Sequence, residues 1–286
     1  MKPGGYDPAG LTITFGYGGE PVRGRPGHRS VRLKDRMPAV LAAGVPKFPP
    51  KDALQADKSD GGDIVVQICG NDAQVCVHAL HNLARIGFGR AALRWSQVGY
   101  GRTSSTSKSQ DTPPRNLFGY KDGTNNIKSE DSADELARHL WVQSGDDPAA
   151  EWLAGGGTFL VARRIRMLLE IWDRQTLADQ NDFMGRSKRY GGAPLSVANP
   201  RNADEFVTPD FAAVGPDRQP AIPDNAHIRI VHPSMNNGVR MLRRGYNYTD
   251  GNDSLGAAQR RAVLHRLRPR SPPDPVLSGA AEDDEA

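Results

Sequence analysis

Residues 63–98 read DIVVQICGNDAQVCVHALHNLARIGFGRAALRWSQV, and the change of period along this stretch sets the fold. DIVVQIC at 63–69 is a short β-branched apolar run ended by Gly70, which reads as a buried strand. Asn71 or Asp72 then offers a side-chain oxygen to open a helix, on which Val77, Leu80 and Ala84 recur at helical spacing. Residues 91–98 return to a strand pattern. Upstream, LTITFGY at 11–17 alternates apolar and polar residues among β-formers and ends at Gly18 and Gly19. The result is a β-α-β unit after an earlier strand. Between them, residues 24–62 are rich in Pro, Gly, Lys and Asp and read as an irregular excursion held down by isolated apolar residues such as Val40 and Leu41.

Downstream, GRTSSTSKSQDTPP at 101–114 is polar and without periodicity, and the domain boundary is placed there. Within 158–172, Phe159, Val161, Ile165, Met167, Leu169 and Ile171 share a period-2 face interrupted by Arg163, so a long strand is expected. Thr176 with Asp179 has the form of a capping box, opening a helix that runs to about Met184 and stops at Gly185. Residues 227–231 and 239–246 read as the last strands. Beyond Tyr248, Arg260, Arg261, Arg266, Arg268 and Arg270 precede a Pro-rich and then acidic end, which reads as a disordered tail.

The 286 residues suffice for one large or two ordinary domains with a real core, which excludes a disulfide-stapled miniprotein. A net charge of +4, from 37 basic and 33 acidic residues, gives no electrostatic case for nucleic acid. Cys69 and Cys76 are too few for a disulfide framework, and their spacing matches no common zinc or redox signature; they read as reduced, partly buried thiols. No run approaches the length of a membrane span, and residues 1–11 lack the basic and apolar regions of an export signal.

Three pieces could carry chemistry. In NLFGYKDGTNNI at 116–127, Gly119 and Gly123 flank Asp122, so flexible backbone could present a carboxylate close to a ligand; an Asx-type turn is the plainer reading. His227, in AHIRIV, offers a neutral imidazole able to ligate iron, against the ordinary structural role of a lone histidine. Arg243 and Arg244 follow apolar Met241 and Leu242, so one of them projects inward and needs an anionic partner. His78 and His81 share a helix face, but no carboxylate or cysteine completes a metal site.

Taken together, GYKDGTNNI at 119–127, AHIRIVHP at 226–233 and LRRGYNYTDG at 242–251 resemble the dye-decolourising peroxidases, especially the deferrochelatase/peroxidase EfeB branch. The resemblance runs from about Leu11 to Gly251 and takes in LRWSQVGYGRTSS at 93–105, ARRIRMLLEIWDRQTLADQ at 162–180 and GRSK at 185–188. It implies an α+β fold of two ferredoxin-like domains with antiparallel sheets, both incomplete here: 1–114 and a haem-binding 115–250, followed by the tail 251–286. It implies one haem b per chain, with His227 as proximal ligand to the iron. Asp122 matches the distal acid and Arg243 the distal arginine, while Gly123, Thr124, Asn125, His232, Pro233 and Ser234 match positions lining the haem. The implied substrates are hydrogen peroxide and an organic reductant, with iron release from haem, iron-uptake partners and a homo-oligomer left open. Trp172, Tyr246 and Tyr248 could relay electrons but read first as packing aromatics.

The sequence departs from the family at both ends. Members begin with a twin-arginine export signal, a strand and a helix, whereas this sequence enters at what reads as the second strand. Export is thus the family's expectation, and the cytoplasm that of the chain as given. After LRRGY the family has a strongly apolar strand, a helix and a final strand; here GAAQRRAVLHRLRPRSPP at 256–273 stands in their place, in the manner of a shifted reading frame. Two other readings follow: a vestigial haem-binding protein without turnover, and a nucleic-acid binder acting through residues 260–270.

Overall fold

The computed structural model describes residues 8–19, 36–44, 61–101, 115–121, 124–252 and 258–267. The strand β1 (Thr12–Tyr17) pairs antiparallel with β2 (Ile64–Cys69), setting Ile13 opposite Ile68, Phe15 opposite Val66 and Tyr17 opposite Ile64. Alternation therefore gathers these apolar residues on one sheet face. Most of the irregular excursion lies outside the described residues. Within it, α1 (Ala39–Ala43) packs Leu41 against buried Val142, Ala150 and Phe159, as the isolated apolar residues suggested. Helix α2 (Ala73–Gly87) starts at Asp72, whose carboxylate accepts from the Gln74 amide at 2.7 Å. The cap is thus Asp72 and not Asn71, and it satisfies a donor that the first turn leaves open. Cys69 and Cys76 are free and half-buried, as expected.

Residues 91–99 do not form the expected strand. A strand-like sequence needs a ladder partner, and among the described residues this one finds none along its length. Trp95 instead donates to the Gly61 carbonyl at 3.4 Å, and only Tyr100 reaches an edge, exchanging hydrogen bonds of 2.7 and 2.8 Å with Asn247.

The remaining described residues hold α3 (Ala133–His139), β3 (Phe159–Met167), α4 (Leu169–Trp172), α5 (Leu177–Met184), α6 (His227–Ile230), β4 (Leu242–Asn252) and β5 (Ala258–Leu267). The three strands form an antiparallel sheet in the order β3-β5-β4. Helix α5 has the expected capping box, Thr176 and Asp179 bonding reciprocally, and it ends at Gly185 in the left-handed conformation at φ 72°.

Four local expectations need correction. The long strand over 158–172 ends at Met167, and a bulge between Ala162 and Ile165 breaks its alternation and leaves Ile165 exposed. Leu169–Trp172 then turns helical, and the Trp172 indole donates to the Phe118 carbonyl at 3.2 Å and packs on the Phe118 ring at 4.5 Å. His227 stands on a helical turn, not a strand, because Ala226 and Ile228 are drawn into a buried cluster with Ile222. The strand expected from Val239 begins only at Leu242. Finally, the backbone of 258–267 is a strand, not part of an irregular tail, since lying between β3 and β4 gives all three a ladder of paired amides.

The architecture is α+β with antiparallel sheets, as the sequence implied. Its core is three small clusters: Ile127 with Leu140 and Leu242, Val142 with Ala150 and Phe159, and Ile222 with Ala226 and Ile228. No helix among the described residues is long and apolar enough to cross a membrane.

Candidate functional site

The loop 115–128 is built on Asn116, whose side-chain oxygen accepts from the amides of Phe118 and Tyr120, both at 3.1 Å. Asn116 thus makes an Asx-type turn, while the one expected at Asp122 falls outside the described residues. Tyr120 is buried against Trp172 and donates its hydroxyl to Asn181 Oδ1 at 2.7 Å. Burial, then the Asp182 carboxylate, raises the proton affinity of that phenol. Lys121 pairs with Glu205 at 3.0 Å. Asp122 and Gly123 lie outside the described residues. Thr124 Oγ1 is buried with no hydrogen-bond partner among the described residues, and Asn125 is exposed.

The next residue has the decisive contacts. Asn126 is only 5% exposed, and its side-chain amide binds the backbone of Arg243 on both sides. Its nitrogen donates to the Arg243 carbonyl at 2.9 Å, and its oxygen accepts from the Arg243 amide at 2.7 Å. The acid-bearing loop and the arginine-bearing strand are therefore joined directly. Arg240 reinforces the joint: its guanidinium pairs with Glu135 at 3.0 Å and Asp131 at 3.2 Å and reaches the Asn126 carbonyl at 3.4 Å.

On α6, His227 is exposed while Ile228 is buried behind it. Gly185 is buried against the Ile228 side chain, where any larger residue would collide with Ile228 Cγ2. Arg229 anchors the turn by donating to the Phe211 and Ile222 carbonyls at 3.1 and 3.3 Å and pairing with Asp224 at 3.0 Å. Ile230, Val231, Met235, Val239 and Met241, which follow on the same stretch, are all exposed. His232 caps the turn at Pro233, accepting from the Ser234 amide through Nδ1 at 3.3 Å, and lies 2.8 Å from the Ser234 hydroxyl. Burial first, and the Arg186 cation second, lower its proton affinity. Pro233 is half-buried and Ser234 exposed. Nδ1 of His232 is thus engaged within its own turn.

Arg186 links the halves of this frame. Its guanidinium donates to the carbonyls of Gly192 at 2.7 Å and Glu205 at 3.0 Å, and burial lowers its pKa to about 10 against the opposing pull of Glu205. Arg186, Arg240 and Asn126 were not singled out from the sequence. For Arg186 the only signal was its place in GRSK; for the other two there was none, because their partners are remote. Trp172 and Tyr248 are packed as expected, Tyr248 being buried with its hydroxyl accepting from Arg164 at 3.3 Å. His78 and His81 belong to no group of three or more metal-binding side chains among the described residues.

Comparison with known proteins gives these parts a common frame. Residues 4–101 match the family model described as Dyp-type peroxidase, N-terminal, and residues 113–259 match Dyp-type peroxidase, C-terminal. Two linked peroxidase-type halves of α+β construction define the class. The chain belongs to the Dyp-type peroxidase family. It is 35% identical over 247 residues to the dye-decolorizing peroxidase of Thermobifida fusca, covering 86% of this chain and 53% of that protein. It is 34% identical over 255 residues to the deferrochelatase of Yersinia pestis, covering 87% of this chain and 54% of the relative. Among solved structures, a DyP-type peroxidase from Streptomyces coelicolor superposes with a TM-score of 0.77 at 32% identity, covering 93% of this chain and 66% of the other. Ferric DtpA from Streptomyces lividans gives 0.77 at 33% identity with the same coverage. The chain thus spans about half the length of the curated relatives it matches. The ferredoxin-like α+β fold expected from the sequence agrees with these neighbours.

Proposed function

We propose that this chain binds one haem b through His227 and acts as a peroxidase that reduces hydrogen peroxide and oxidises an organic donor, with release of iron from haem as a further reaction of the same site. The observation that carries this reading is the chemistry of α6 and the segment after it. One side of the turn is anchored in the core through Ile228, while an exposed imidazole is followed by a run of exposed apolar side chains. A neutral imidazole beside an uncovered apolar surface suits a flat, apolar, iron-bearing macrocycle. The buried Thr124 hydroxyl, without a partner among the described residues and two residues after Asp122 in sequence, offers a polar contact. The residues present therefore fit the group.

When bound, haem would supply the iron that exchanges electrons with peroxide. The chain's own residues would manage protons and charge. Cleaving the peroxide O–O bond requires a proton to leave one oxygen and reach the other, a transfer that the Asp122 carboxylate would perform. The Arg243 guanidinium would stabilise the negative charge that develops on the peroxide. His227 would hold the group through its iron. Haem titration of the full chain followed by absorbance tests the reading: a saturable Soret change is expected, and its loss in His227→Ala. Equal binding by His227→Ala, or no stoichiometric binding by the natural chain, would overturn it.

A further inference from the structure

We propose that Asn126 is a positioning residue that sets the aim of Arg243. This rests on the peroxidase reading above, and deepens it. In the sheet order β3-β5-β4, β5 is the one strand beside β4 among the described residues, so the other edge of β4 presents amides and carbonyls that need partners. Two groups supply them. The backbone of Tyr100 takes both hydrogen bonds of Asn247, and the side-chain amide of Asn126 takes both of Arg243. A primary amide carries the same donor and acceptor as a peptide unit, so Asn126 acts here as one residue of a neighbouring strand would. At 2.7 and 2.9 Å, and with Asn126 5% exposed, the arrangement excludes water from the Arg243 backbone. The amide is assigned without ambiguity, since only one orientation of its oxygen and nitrogen satisfies both bonds.

Both ends of the clamp are held. The Asn126 carbonyl receives Arg240, whose guanidinium is fixed by Asp131 and Glu135 at the start of α3. On the other side, the backbone of Arg243 determines where its Cα–Cβ bond points and so the region its guanidinium can reach. Asn126 lies four residues after Asp122 on the same loop. The clamp thus ties residue 126 of that loop to the arginine backbone. Preorganisation of this kind matters because a cation stabilises developing charge only if it need not reorient during the reaction.

The test compares the full natural chain with Asn126→Ala, Asn126→Asp and the control Val142→Ala, a core substitution in a separate cluster. Hydrogen exchange of the segment around Arg243 is measured on the haem-free chain, and fluoride affinity is measured on the haem-loaded ferric chain by absorbance. Asn126→Ala should speed exchange at Arg243 by about tenfold or more. It should also weaken fluoride binding by about tenfold, since the anion reports the distal cation. Asn126→Asp, which keeps the acceptor but loses the donor, should fall between it and the natural chain, and Val142→Ala should leave fluoride affinity unchanged. Unaltered exchange at Arg243 in Asn126→Ala would overturn the clamp. Faster exchange with natural fluoride affinity, or an equal loss of affinity in Val142→Ala, would overturn its positioning role. Failure of the natural chain to bind haem would refute the proposed function instead, with exchange still deciding the clamp.

Discussion

Gly185→Ala should displace the turn that carries His227, and the size of the effect can be worked from two separate costs. The first is conformational: Gly185 sits at φ 72°, where an L side chain costs about 1–2 kcal/mol. The second is steric. A Cβ at 185 would collide with Ile228 Cγ2 and stand 3.1 Å from Ile222 Cγ2 and 3.2 Å from Ala226 Cβ. All three residues belong to the cluster that backs α6, and overpacking such a site costs about 1–3 kcal/mol. Together these amount to roughly 2–5 kcal/mol, a large share of the roughly 5–15 kcal/mol that stabilises a typical domain. Gly155→Ala separates the two costs, because Gly155 has φ 86° and nothing within 4 Å of the added carbon. Urea unfolding followed by far-ultraviolet circular dichroism should show Gly185→Ala destabilised beyond Gly155→Ala by about 1–3 kcal/mol. Part of that excess should vanish in an Ile228→Ala background, which removes the obstructing methyl group. Equal losses for the two glycine substitutions, or full additivity with Ile228→Ala, would refute the reasoning.

Three further outcomes follow from the same geometry. His232 has a lowered proton affinity, so its contribution to stability is complete above the ordinary imidazole value of 6.5 and is lost as pH falls below it through the folded-state value. His232→Gln should therefore flatten the fall of the urea midpoint below about pH 6.5, and an unchanged profile would remove His232 as the source. Asp122→Asn and Arg243→Ala should each keep haem binding while lowering peroxide-driven dye bleaching by about hundredfold or more, measured by stopped-flow absorbance. Asp72→Ala should destabilise by about 1 kcal/mol through loss of the α2 cap, whereas Asp72→Asn should be nearly neutral in the same denaturation assay.

What the sequence determined by itself was local, or rested on the order of its motifs. The Thr176–Asp179 box and the left-handed Gly185 involve partners within one turn, so residue identity and spacing were enough to read them, and for the α2 cap they narrowed the choice to Asn71 or Asp72. The order of Asp122, His227 and Arg243 led to the family that the comparisons then showed. Tertiary structure decided whatever depended on a remote partner. AHIRIV fits a strand by period, but burying Ala226 and Ile228 beside Ile222 coils it into a helical turn. LLEIW likewise yields to the packing of Trp172 on Phe118, and 91–98 has strand residues but no edge to pair with. The adjacent asparagines show the limit most directly. Asn125 is exposed, while Asn126 is buried and holds Arg243. The two side chains are chemically identical, and what separates them is a pair of hydrogen bonds to a backbone 117 residues away, which only the folded chain brings within reach.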